Sequence, residues 1–163
     1  MDRPAADAPK AEWRRWVRGL RPPSAEVGVR RHLADLLGDR PGVVAAYEVL
    51  PGEVDLAALL DRLDAVALPR LAGDELSWHL GDGAPVAPDR LDVVLVPGRL
   101  FDRRGIRLGR GGGHYDRLLP RLRPGVPVIG VTVDERIVDQ LPAEPHDVPM
   151  THLATESGVR QVG

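Results

Sequence analysis

The run Leu91–Val96, LDVVLV, constrains the fold of this 163-residue chain more than any other segment. It is apolar at every position but Asp92 and rich in β-branched valine, which suits a strand. It does not alternate between polar and apolar, so both faces of the strand must be covered. Strands of that kind occupy the middle of parallel sheets, where crossover helices lie on either side.

The flanking segments supply the remaining layers. Val43–Val49 reads as a second strand, Ala65–Leu68 as a short one, Val126–Val133 as another and Met150–Thr155 as the last. Helical spacing of Trp13, Trp16, Val17 and Leu20 marks a helix over Lys10–Leu20, stopped by Pro22 and Pro23. A second helix is expected from an N-cap at Ser24 to Gly38, with Val27, Leu33, Leu36 and Leu37 as its apolar positions. Further helices are expected at Val54–Leu63, Gly113–Leu122 and Glu135–Leu141. Leu76–Leu80 and Gly81–Pro88 read as a hairpin and loop. Residues 1–9 are rich in Pro and Ala and are expected to be frayed.

Alternating strands and helices predict an α/β fold: an open, mostly parallel sheet flanked by helices, as a single domain over residues 1–163. In such sheets ligands bind beyond the carboxyl ends of the strands. The turn after Val49 and the loop after Val96 both occupy that position.

Composition removes several classes of function. The chain has no cysteine, which excludes disulfides, thiolate catalysis and a zinc–sulfur site. Net charge is −2, so neither nucleic acid nor an anionic membrane is an expected partner. No apolar run approaches the ~20 residues that span a bilayer. The opening MDRPAADAPKAEW has no apolar core of a secretory signal, so a cytoplasmic location is expected. All of the 22 basic residues are Arg except Lys10.

The loop after Val96 leads into Arg107–Arg117, RLGRGGGHYDR. Glycines at 109, 111, 112 and 113 let backbone N–H groups approach an anion closely. A helix that follows would point its N-terminal N–H groups to the same place. Arg103, Arg104, Arg107, Arg110 and Arg117 add guanidinium groups suited to phosphate oxygens. The segment is neither a Walker A loop nor G-x-G-x-x-G. A flexible turn before an ordinary helix is the plain alternative, and the density of arginine favours the anion site. Asp116 either complements the helix dipole or ligates Mg²⁺ alongside phosphates. Its position alone leaves both open.

Several segments together resemble the 5-formyltetrahydrofolate cyclo-ligase family, also called methenyltetrahydrofolate synthetase. They are PGEVD at 51–55, ALPR at 67–70, LDVVLVPGRLFDRRGIRLGRGGGHYDRLL at 91–119 and LPAEPHDVP at 141–149. Their order and spacing fit, and Lys10–Arg14 resembles the family's N-terminal Lys-x-x-x-Arg. The resemblance implies a mostly parallel α/β sheet and an ATP- and Mg²⁺-dependent enzyme. Its reaction converts 5-formyltetrahydrofolate to 5,10-methenyltetrahydrofolate through a phosphorylated formyl oxygen. Carried over by position, ATP would be bound by Lys10, Arg14 and the loop residues Arg107, Leu108, Gly109, Arg110, Gly111, Gly112, Gly113, His114 and Tyr115. Arg110, Gly111, Gly112, Gly113 and His114 would also touch the folate, with Glu48 and Glu53 on the pterin side. Asp116 and Asp147 would hold the metal, and Arg110, His114 and Asp116 would be the catalytic residues. A monomer or weak homodimer acting on a reduced folate or an analogue is expected.

The chain departs from the family's pattern at three places. His114 stands where a Tyr is usual. Glu48 introduces charge beside the expected pterin pocket. The stretch between Leu71 and Leu91 is compressed, and the aromatic, Glu-Pro cover of the folate is reduced to GDGAPVAP. Two further readings therefore stay open: a paralogue that uses ATP to cyclise another amide- or formamide-bearing molecule, and a non-catalytic nucleotide- or folate-binding module. His32, His79, His146 and His152 have no metal-site spacing and read as structural or surface residues.

Overall fold

The computed structural model describes residues 1–163. Five parallel strands form the centre of the main sheet: β1 (Val44–Ala45), β2 (Val66–Ala72), β5 (Val93–Pro97), β8 (Val128–Val131) and β10 (His152–Thr155). Three antiparallel strands complete it: β3 (Glu75–Leu80), β4 (Pro85–Val86) and β11 (Gly158–Gln161). The order is β11-β10-β8-β5-β1-β2-β3-β4. The α/β expectation holds.

The LDVVLV run explains itself in this sheet. Leu95 packs into one core cluster with Val29, Leu33 and Leu37 of α2 (Glu26–Leu37) and Leu59 of α3 (Ala57–Leu60). Val94 and Val96 face the opposite cluster, with Trp78, Phe101 and Leu118. Each such side chain contributes about 1.5–3 kcal/mol when fully buried, so neither face can be polar.

Several local expectations are corrected. α2 buries Val29, Leu33 and Leu37, at i, i+4 and i+8, whereas Val27 is 72% and Leu36 47% exposed. Ser24 does not cap it, because the N-cap position is Ala25 and no side chain bonds there. Helix α3 spans only Ala57–Leu60. The Val43–Val49 strand pairs only at Val44 and Ala45, although Ala46 and Tyr47 remain buried. β2 runs on to Ala72 because β3 pairs with it antiparallel, from Ala67–Leu80 to Ala72–Glu75. The Gly113–Leu122 helix is a short α4 (His114–Leu118) and a 3₁₀ turn at Leu119–Arg121.

Glu135–Leu141 is not a helix. A 3₁₀ turn over Asp134–Arg136 leads into β9 (Ile137–Val138), which pairs parallel with β6 (Leu100–Asp102). β7 (Arg107–Leu108) closes this second, three-stranded sheet on the other side of β6. α1 (Lys10–Val17) docks on it through Trp13 and Val17, which pack with Leu100, Ile106, Leu108, Val138 and Leu141. Ahead of α1, residues 1–9 form no helix or strand; Ala8 packs against the same cluster, and the Arg3 guanidinium lies over the Trp13 ring.

One buried carboxylate organises this small sheet. Asp102 Oδ1 accepts the N–H groups of Arg104 and Ile106 at 2.9 and 3.0 Å. Its Oδ2 accepts Leu141 N–H at 3.0 Å and Arg104 Nη2 at 2.7 Å. Asp102 therefore ties the turn before the glycine loop to the start of LPAEPHDVP.

Candidate active site

Strand order reverses between β1 and β5: the chain moves from β1 to β2 on one side and returns to β5 on the other. A crevice opens at that point beyond the carboxyl ends, where open α/β sheets bind ligands. A cavity of about 340 Å³ lies there. Tyr47 and Glu48 enter it from the end of β1, and Pro97, Gly98 and Arg99 from the end of β5. Every predicted site residue except Leu108 lines it. Leu108 is fully buried in the cluster under α1, so its side chain belongs to the core.

α1 sets one wall of the cavity. Trp13 and Val17 anchor one helix face, which leaves Lys10 and Arg14, also four residues apart, facing the cavity. Lys10 Nζ donates to both Asp147 oxygens at 2.7 Å and to Glu144 Oε2 at 3.0 Å. Arg14 Nε donates to the Gly109 carbonyl at 3.1 Å, holding the helix against the glycine loop.

The loop reaches α4 through Gly113, whose φ of 68° is left-handed and costs glycine little. At Gly112 a Cβ would lie 2.5 Å from the His114 ring, so a side chain there would displace that ring. Arg107 Cζ sits 5.0 Å from the Tyr115 ring centroid, and its Nε is buried without an acceptor. Burial pulls the Arg107 guanidinium below its ordinary value, while Asp116 and Tyr115 oppose that shift. Burial likewise pushes the Tyr115 hydroxyl upward, with Arg107 acting against it, so the hydroxyl stays protonated at neutral pH.

On the opposite wall Glu53 is buried and fixes the PGE turn. Its Oε2 accepts Leu50 N–H at 3.0 Å, and its Oε1 is 3.4 Å from Arg110 Nε. Arg110 Nη2 also donates to the Pro51 carbonyl at 2.7 Å. Glu48 is exposed at the rim, and the Tyr47 hydroxyl below it donates to the Val54 carbonyl at 2.8 Å. Burial, then the Glu53 charge, keep that hydroxyl protonated.

Asp116 and Asp147 come together although 31 positions separate them in sequence, and His146 joins them. Single ligand atoms of the three lie within 4.8 Å of one another. His146 is exposed, as its surface reading expected, but the fold sets it beside the two aspartates, which its lack of metal-site spacing did not suggest. Mg²⁺ is commonly held by one or two carboxylates with phosphate and water completing the shell, so the pair of aspartates fits it.

The sequence reading also missed the apolar wall and one cation. Pro69 and Leu71 of β2 and Leu76 of β3 line the cavity, so the shortened Leu71–Leu91 stretch still covers it with a hairpin. Trp78, fully buried on β3, backs Tyr115 edge-on at 6.1 Å. Arg99 lines the cavity too and stands in no predicted role.

Comparison with known proteins agrees with the fold. The sequence profile of the 5-formyltetrahydrofolate cyclo-ligase family matches residues 82–156. A 5-formyltetrahydrofolate cyclo-ligase from Mycolicibacterium smegmatis is 53% identical over 135 residues, 73% of this chain and 69% of that protein. The Escherichia coli K12 protein of the same name is 41% identical over 95 residues, 58% of this chain and 51% of its own length. Among solved structures, the Aquifex aeolicus 5,10-methenyltetrahydrofolate synthetase superposes with a TM-score of 0.81 at 30% identity, covering 94% of this chain and 92% of that one. The Mycoplasma pneumoniae 5,10-methenyltetrahydrofolate synthetase has the same fold, with a TM-score of 0.77 at 22% identity over 90% of this chain and 96% of that chain.

Proposed function

The chain belongs to the 5-formyltetrahydrofolate cyclo-ligase family, and from that premise we propose that it converts 5-formyltetrahydrofolate to 5,10-methenyltetrahydrofolate with Mg-ATP. The observation that carries the reading is the convergence of Lys10, Arg14, the glycine loop, Asp116 and Asp147 on one cavity at the strand-order reversal. A cytoplasmic location belongs to the same proposal, and no helix is long and apolar enough to cross a membrane.

The residues suit the chemistry. A formamide oxygen is a poor leaving group; ATP supplies a phosphoryl group that makes it a good one, so N10 can close the ring with loss of phosphate. Catalysis of such a transfer rests on positioning and charge neutralisation. Lys10 and Arg14 hold phosphate oxygens from α1. Arg107, with its buried Nε lacking an acceptor, and the Gly109–Gly113 backbone hold the rest. Asp116 and Asp147 would hold Mg²⁺, with His146 beside them. Arg110 reaches from the loop to Glu53 and so spans the nucleotide and substrate sides. Glu53 accepts N–H groups from the amino-pyrimidine edge of the pterin. The Pro69, Leu71 and Leu76 wall shields the reacting atoms from water.

The test is spectrophotometric. The purified protein with Mg-ATP and 5-formyltetrahydrofolate should raise the near-ultraviolet absorbance of the methenyl product, and Asp116→Ala should abolish the rise. ATP binding without product would instead favour cyclisation of another amide-bearing molecule, the reading that His114 keeps open.

A further inference from the structure

Five cationic side chains line the cavity, and four of them have protein acceptors. Lys10 has Asp147 and Glu144, Arg14 has Gly109 O, Arg107 has Pro97 O at 3.4 Å, and Arg110 has Pro51 O and Glu53. Arg99 is the exception. No side-chain hydrogen bond and no carboxylate within salt-bridge distance serves it, and its Nε is buried. It leaves the carboxyl end of β5 at the strand-order reversal, and a Cβ on Gly52 would lie 3.8 Å from its Nη2. It therefore sits under the PGE turn, on the substrate side of the cavity.

Its surroundings add positive charge. Burial lowers the Arg99 guanidinium most, and Arg110, Arg136 and Arg18 lower it further, against Glu53 alone in the other direction. Arg136, in the 3₁₀ turn after β8, is 1% exposed, and its Nε and Nη1 have no hydrogen-bond partner. Its Nη2 donates to the Arg21 carbonyl. Lys10, Arg14 and Arg18 follow one another at four-residue steps from the start of α1. At ~1.5 Å per residue the first and last are about 12 Å apart. The Lys10 end meets Asp147, and Arg18 at the other end adds to the positive field at Arg99. Glu135 stands 4.0 Å from Arg136 Nε and Glu53 serves Arg110, which leaves Arg99 as the cavity cation without a protein acceptor; with its Nε buried, it is suited to a ligand anion, since unpaired buried charge is costly.

We propose that Arg99 heads an oxyanion subsite, separate from the Lys10–Asp147 end, that takes a carboxylate or phosphoryl group of the ligand and so helps to set substrate specificity. The inference rests on the proposed reaction for its two sources: the glutamyl carboxylates of the folate, or the phosphoryl group on its way to inorganic phosphate. Arg136 and Arg18 act through the field they add, and Arg99 makes the contact.

Titration calorimetry separates the outcomes, with Arg99→Gln removing the charge and Arg99→Lys keeping it. The probes are inorganic phosphate, 5-formyltetrahydrofolate and the primary amide of 5-formyltetrahydropteroate, in which a neutral carboxamide replaces the glutamate. A phosphoryl source predicts about tenfold weaker phosphate binding in Arg99→Gln, largely restored in Arg99→Lys. A carboxylate source predicts the same loss for the glutamate-bearing folate but not for the pteroyl amide. The proposal is overturned if phosphate binding is unchanged and the two pteridines are affected alike, or if the wild type binds no phosphate and does not discriminate between them. Failure of the wild type to form methenyl product defeats the proposed reaction instead, and leaves the phosphate measurement to decide on Arg99.

Discussion

Lys10 Nζ lies 2.7 Å from both carboxylate oxygens of Asp147, joining the first turn of α1 to a loop 137 positions away. The cation that would bind phosphate and the carboxylate that would bind metal neutralise each other in the free protein. Both are largely shielded, with side-chain exposures of 11% and 6%, so the pair is stronger than an ordinary surface salt bridge.

Lys10→Met is therefore expected to act in opposite directions on two ligands. ATP should bind about tenfold more weakly, since a charge-assisted contact is lost. Mn²⁺ alone, used as a spectroscopic probe for Mg²⁺, should bind more tightly, since Asp147 no longer has a competing cation. Titration calorimetry reads the first and electron paramagnetic resonance the second; weakened binding of both would contradict the competition.

Asp102→Ala should destabilise the protein by about 3–5 kcal/mol in a denaturant titration, because Arg104 loses its buried partner and two buried N–H groups lose their acceptor. The same change should loosen both the glycine loop and the Asp147 segment, which Asp102 ties together. A loss below ~1 kcal/mol would mean that other contacts hold the small sheet.

Gly130→Ala tests the close packing of β8. A Cβ there would lie 2.5 Å from Phe101 Cε1 and 2.8 Å from Leu153 Cδ2, both in the core. Overpacking of this kind costs about 1–3 kcal/mol. Adding Phe101→Leu should recover part of the loss, and strict additivity of the two changes in thermal unfolding would refute the contact.

Asp92 gives a pH signature. The Val43 N–H, 2.8 Å from Oδ2, and then Arg123 hold its carboxylate below the usual range. A lowered value stabilises the folded state above the ordinary carboxylate pKa of ~3.9, and the benefit disappears as pH falls through the lowered value. Asp92→Asn should thus be less stable than the wild type at neutral pH, by under about 1 kcal/mol for so exposed a pair. Acid titration of stability should make the two converge, and a difference that persists in acid would point to packing instead.

Much of the site could be read in the chain because its parts are contiguous. The loop from Arg107 to Asp116 carries its glycines, its cations and its following helix in one stretch, and all of it except the Leu108 side chain lines the cavity. Lys10 stood out as the one lysine among arginines. His146 and Arg99 did not stand out, because a histidine or arginine without a periodic partner looks like any surface residue until the fold places its neighbours. Val27 and Leu36 misled for a related reason: helical spacing identified the helix, but the sheet selected which of two adjacent stripes was buried.

The sequence alone determined the layered parallel sheet and the position of a glycine- and arginine-rich loop at a strand end. Both follow from local causes: an apolar run that tolerates no solvent on either face, and glycines that open the backbone to a ligand. Only the tertiary structure decided that Ile137–Val138 is a strand, since two β-branched residues become one only when β6 is there to pair with. It alone brought Asp116, His146 and Asp147 together and set Lys10 against Asp147. It alone left Arg99 without a partner. Those relations depend on contacts across the chain, where the geometry of the whole sheet and not the neighbouring residues determines which charges meet.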